Sequence, residues 1–114
     1  MKWVLTAALF LVFQTKNCNK EKSVPTPACI LDKIEAIQHL PKENPPATVH
    51  RYRYGNTYVF LFSSPCCDQY NYVYDKNCNI ICAPSGGITG KGDGGCPNFL
   101  KLATEETLIW QDAR

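Results

Sequence analysis

No apolar run in this 114-residue chain is long enough to cross a bilayer as a helix: the longest, Trp3 to Phe13, covers about eleven residues where a span needs about twenty. Charge of one sign is lacking too. Twelve basic residues stand against ten acidic ones, and setting aside Lys2 and Lys16 leaves ten against ten, so there is no basic footprint for nucleic acid. Histidine is scarce: His39 ends an amphipathic segment, His50 lies on a strand pattern, and no serine has an activating neighbourhood, which removes support for nucleophilic hydrolysis. A Cys-x-x-Cys pair at a helix start, the usual mark of a thiol oxidoreductase, is missing.

Glycine is confined. Six of the seven glycines fall between Cys82 and Cys96, in the tract Pro84 to Gly95. Gly90-Lys91 superficially suggests a phosphate cradle, but the spacing from Gly86 is one short and Gly92 stands where a Ser or Thr must reach magnesium. Asp93 is the tract's single carboxylate, too few for calcium. No metal and no cofactor are expected.

What the chain does have is cysteine: seven, at 18, 29, 66, 67, 78, 82 and 96. Met1-Lys2 followed by the apolar run match the n-region and h-region of a secretory leader, so residues 1–17 read as a signal peptide and the protein as exported. Cys18 directly after it, followed by a charged stretch, resembles the processing site of a bacterial lipoprotein, where the thiol takes a diacylglyceryl group and ties the protein to a membrane. The pattern departs from that family in Thr15, Lys16 and Asn17, where Leu and small residues are usual; a plain secreted protein with Cys18 as a spare thiol is the other reading. Residues 18–26 form a tether, and residues 27–114 a single small domain.

Lipidation of Cys18 leaves an even set, Cys29, Cys66, Cys67, Cys78, Cys82 and Cys96, for pairing in an oxidising compartment. Zinc on Cys78, Cys82 and the vicinal pair is chemically conceivable, but an export leader favours oxidised sulfur. A folded unit of about 85 residues has a marginal core. Bridges worth roughly 2–4 kcal/mol each then weigh heavily against a total stability of about 5–15 kcal/mol. Cys66 and Cys67 point to opposite faces if extended and should bind different partners. The expected pairs are Cys82 with Cys96 across the glycine tract, and Cys29 with one of the vicinal cysteines.

The periodicity predicts α+β: one N-terminal helix packed on a small antiparallel sheet of hairpins, braced by disulfides. Thr26-Pro27 should cap and start the helix, with Ile30, Leu31, Ile34 and Ile37 on one face and Pro41 ending it. After the connector Pro41 to Pro46 the period becomes 2. Strands at 48–54 and 57–62 flank Gly55-Asn56, a type II′ turn that sets Tyr54 against Thr57, Arg53 against Tyr58 and Arg51 against Phe60. A second hairpin joins 70–74 to 79–83 through Asp75 to Cys78, where either Asn77 or Cys78 must adopt the left-handed region. The tail from Thr107 to Gln111 favours a last strand, with Thr104-Glu105-Glu106 able instead to cap a helical turn.

Cys66-Cys67-Asp68-Gln69-Tyr70, Val73-Tyr74-Asp75, Ile81-Cys82-Ala83-Pro84, the signature Gly86-Gly87-Ile88-Thr89-Gly90-Lys91-Gly92-Asp93-Gly94 and the ending Ile109 to Arg114 together resemble an uncharacterised family of small exported bacterial proteins, many with lipoprotein leaders. The resemblance covers Ala28 to Arg114. It is a domain of unknown function and implies no catalytic residue. The family's turn usually reads Asn-Gly where this chain has Asn77-Cys78, which marks Cys78 as a local addition. The expected role is that of a non-enzymatic cell-envelope or secreted domain with binding or structural work, contacting a protein or glycan through Arg51 and Arg53 or through Lys91 and Asp93. An inhibitor of a protease or other secreted enzyme is the alternative, since a loop closed by a bridge is pre-organised for a cleft.

Overall fold

The computed structural model describes residues 24–65 and 68–114. The leader, Cys18 and the vicinal pair Cys66 and Cys67 lie outside them. The elements are α1 (Ala28–Gln38), β1 (Thr48–Tyr54), β2 (Thr57–Phe62), β3 (Tyr70–Tyr74), β4 (Ile80–Gly86), α2 (Phe99–Leu102) and β5 (Thr104–Gln111). The strands form one antiparallel sheet in the order β4-β3-β2-β1-β5, so the fold is α+β as expected. No helix among the described residues is long and apolar enough to cross a membrane.

The register of β1 on β2 pairs Arg51 with Phe60, Arg53 with Tyr58 and Tyr54 with Thr57. Gly55 closes that hairpin at φ +67°, a conformation open to glycine at little cost. Alternation then divides the sheet into two apolar faces. On one, Val49, Phe60 and Phe62 meet Ile30 and Ile34 of α1. On the other, Tyr52, Val59 and Val73 meet Cys82, Cys96 and Phe99, with the Phe99 ring 5.2 Å from that of Tyr52 in an edge-on contact.

Helix α1 starts one residue later than the sequence predicts. Pro27 occupies the cap position, Thr26 makes no capping bond, and the Pro27 carbonyl accepts from the N–H groups of Ile30 and Leu31. Leu31, placed by the pattern among the inward residues, is 51% exposed, because Ile30 and Ile34 already define the inward stripe and Leu31 lies about 100° round the helix from Ile30.

Two disulfides brace the described fold, which fits an oxidising, extracellular-type environment. Cys82 is joined to Cys96 beneath the glycine tract. Cys29 is joined to Cys78, not to a member of the vicinal pair, because α1 places its first turn over the β3–β4 turn. Cys78 takes the left-handed conformation at φ +65°, against a steric cost of about 1–2 kcal/mol. Asp75 supports this turn by accepting from the backbone N–H groups of Asn77 (2.8 Å) and Asn79 (2.9 Å).

Three further departures concern the second half. Strand β4 runs through Pro84 to Gly86, which is permissible because β4 is at the edge of the sheet, where a proline nitrogen need not donate to a further strand. The short α2 is legible in no pattern and exists because Phe99 is buried under the sheet. Strand β5 begins at Thr104, and Glu105 at φ +55° absorbs a register shift where a helical turn was the alternative.

Candidate functional site

Helix α1 is narrower than the sheet, and the uncovered part is the floor of a groove of about 560 Å³. Alternation along β3 places Tyr70, Tyr72 and Tyr74 on one face, with ring centroids 5.8 and 6.3 Å apart, and Phe62 of β2 meets Tyr74 edge-on at 5.2 Å. The opposite wall is the aliphatic flank of α1, Ala36 and Ile37, continued by Leu40. Lys33 reaches across it and sets its ammonium 4.3 Å from the Tyr74 ring centre, within cation–π range. Burial raises the phenol pKa of Tyr74.

At the far end stands Glu43. Its Oε1 is buried and has no hydrogen-bond partner among the described residues. Burial, and then the negative charge of Asp112, raise its pKa, with Arg114 opposing. Asp68 and Gln69 complete the polar end. The groove therefore combines a row of mutually tilted aromatic rings, one cation and a half-buried carboxyl group, the mixture of apolar walls and few convergent polar groups typical of ligand pockets.

The wall made by α1 is held from beyond its C-terminus. Arg114 donates from Nη1 to the carbonyls of Gln38 (3.0 Å) and Leu40 (2.8 Å) and from Nη2 to that of Ile37 (3.4 Å). The Gln38 carbonyl is one that a helix end leaves without an intrahelical partner, while that of Ile37 already accepts from the Leu40 N–H. Hydrogen bonds from the Arg114 side chain and then from its backbone N–H hold the Asp112 carboxyl below its usual pKa.

The residues singled out from sequence lie elsewhere and are already engaged. Arg51 and Arg53 flank the Tyr58 ring at 4.8 and 5.4 Å. Arg51 also donates to Thr107 Oγ1 (3.4 Å) and to the carbonyl of Val24 (3.5 Å), inside the stretch read as tether, while Arg53 meets Glu105 at 4.0 Å. Asp93 accepts from the Gly95 N–H at 2.8 Å; bonds from Gly95 first and then Ala83 lower its pKa, so its role is to fold the loop. Lys91 is exposed on the same loop. The arginines sit on β1 and the loop follows β4, with β2 and β3 between, so the two candidate patches are not one site. His39 faces Glu35 and His50 faces Glu106, away from the groove. Among the described residues no three His, Cys, Asp or Glu side chains gather to hold a metal.

A family model described as a domain of unknown function, DUF6970, matches residues 35–112. The chain belongs to this family. The matched region takes in the later turns of α1, the tyrosine strand, the glycine tract and Asp112, and leaves Cys29 outside while including Cys78. No curated protein and no solved structure matches the chain. The groove escaped the sequence reading. Its signal was the alternation of Tyr70, Tyr72 and Tyr74, but whether such a face lies open or under the helix depends on where α1 crosses the sheet.

Proposed function

We propose that this protein is a non-enzymatic exported domain that binds a short glycan in the groove between α1 and β3, tethered to the cell envelope by a lipid on Cys18. The observation that carries the reading is the ladder of Tyr70, Tyr72 and Tyr74 lining one groove with the carboxyl group of Glu43. Aromatic rings offer flat apolar faces for the C–H side of a sugar, and a carboxylate accepts from hydroxyls, so one surface serves both sides of a saccharide. Its size, about 560 Å³, lies in the range of small-ligand sites.

The test is a titration of the isotopically labelled protein with chito- and cello-oligosaccharides, following the ring resonances of Tyr70, Tyr72 and Tyr74. Saturable shifts there, abolished in a folded Tyr72→Ala variant, support the reading. Shifts confined to Arg51, Arg53 or the glycine loop, or none with either sugar series, refute it. The anchor has its own check: labelled palmitate should enter the protein in cells and be lost with Cys18→Ala.

The inhibitor reading keeps one observation in its favour. Ile88, 90% exposed, projects from a loop fixed by positive-φ Gly87 and Gly90 and closed by Cys82–Cys96. A panel of secreted proteases that proceeds unslowed at nanomolar to micromolar protein would remove it.

A further inference from the structure

The two disulfides differ in surroundings. Cys82 and Cys96 are 1% and 6% exposed and pack with Phe99 and Tyr52 under the sheet, where a thiol reagent has no approach. Cys29 and Cys78 are only half-buried. One stands in the first turn of α1 and the other in the β3–β4 turn, where its backbone is held in the left-handed region at φ +65°.

Their position matters for the groove. Cys29 lies one helical turn before Lys33 and Cys78 lies four residues after Tyr74, so the bridge joins the helical wall to the tyrosine wall at one end of the opening. At the other end Arg114 holds the last carbonyls of α1. Between them the helix is fastened by Ile30 and Ile34.

We propose that Cys29–Cys78 is a reducible clasp that sets the spacing of the two groove walls, while Cys82–Cys96 is a permanent brace. A dithiol carries out the opening. One of its thiolates attacks a sulfur of the bridge, forming a mixed disulfide and expelling the other cysteine as a thiolate that takes up a proton. The second thiol of the reagent then closes its own ring disulfide and releases the remaining cysteine. Two electrons and two protons pass from reagent to protein, and an oxidant of the disulfide class reverses the step. After opening, α1 stays attached through Ile30, Ile34 and Arg114, but its first turn is free of the β3–β4 turn, and the contact of Lys33 with Tyr74 is no longer constrained.

The clasp stands whatever the groove binds; its effect on affinity rests on the glycan reading. The experiment treats the oxidised full chain with graded dithiothreitol, quenches with N-ethylmaleimide and maps the labelled peptides. Cys29 and Cys78 should be labelled at least about tenfold faster than Cys82 and Cys96, since exchange follows access. Equal rates, or earlier labelling of Cys82 and Cys96, overturn the proposal. A Cys29→Ser/Cys78→Ser double variant should stay folded, with shifted Tyr74 and Lys33 resonances and unshifted Phe99. An unfolded double variant, or an unchanged groove, overturns it as well. If the labelling order and the Tyr74 shift hold but the oxidised protein binds no oligosaccharide, the glycan reading falls and the clasp does not.

Discussion

Arg114 and Asp112, two residues apart, act as a single device: Asp112 is 3% exposed and grips the guanidinium at 2.8 Å, and the guanidinium in turn caps α1. A cation at a helix C-terminus is favoured by the helix dipole as well as by the hydrogen bonds. The C-terminal segment thereby fixes the element that forms one wall of the groove.

Replacing Arg114 by Ala should fray the end of α1 and lower Tm by on the order of 5 °C. Hydrogen exchange will show it first at His39 and Leu40, whose N–H groups bond back to Ala36 and Ile37. Unchanged protection at those two amides would contradict the capping role.

Acid should act through three carboxylates. Asp112, Asp75 and Asp93 all have pKa values held below the ordinary aspartate range, by Arg114, by the Asn79 and Asn77 N–H groups and by the Gly95 and Ala83 N–H groups, respectively. A depressed folded pKa contributes stability that is complete above the unfolded value, near 3.9, and is lost as pH falls through the folded one. Through these three alone, thermal stability should be level from about pH 5 to 7 and decline below about pH 4. Glu43 has the opposite sign: its raised pKa favours the protonated form, a contribution present below the unfolded value and lost as pH rises. Glu43→Gln should therefore raise Tm at pH 7 and leave it unchanged near pH 4.

The glycines of the signature are not equivalent. A Cβ on Gly92 would come within 2.1 Å of the Ala83 carbonyl oxygen, whereas one on Gly90 meets nothing within 4 Å. Both have positive φ, so Gly90→Ala should cost about 1 kcal/mol. Gly92→Ala carries the same penalty plus a backbone clash and should cost more than about 3 kcal/mol. Urea unfolding of the two variants side by side measures the difference.

Phe99→Ala should cost about 3–5 kcal/mol, because the ring is 1% exposed and fills the core opposite α1. In a domain of this size that approaches the total stability. A loss under 1 kcal/mol in the same denaturation assay would mean that this second apolar layer contributes little.

The β1–β2 register was legible because a two-residue turn with glycine first leaves one way to pair the flanking residues, and Arg51 opposite Phe60 follows. The helix was legible from Ile30 and Ile34. Phe99 gave no signal, since four helical residues carry no period and only the sheet above makes that turn stable. The Cys29–Cys78 pair was hidden because residues 49 apart in sequence meet only through the crossing of α1, which no local pattern encodes. The groove was hidden for the same reason: Tyr70, Tyr72 and Tyr74 announce a face, not what covers it.

Strand β4 would otherwise offer an open row of backbone groups at the margin of the sheet. The glycine loop folds back along it: Asp93 N–H bonds to the Ala83 carbonyl, Gly92 N–H to that of Gly86, and Pro84 offers no N–H at all. From Ala83 to Gly86 this margin is therefore occupied by the chain's own loop and offers a second copy a poorer template for strand addition.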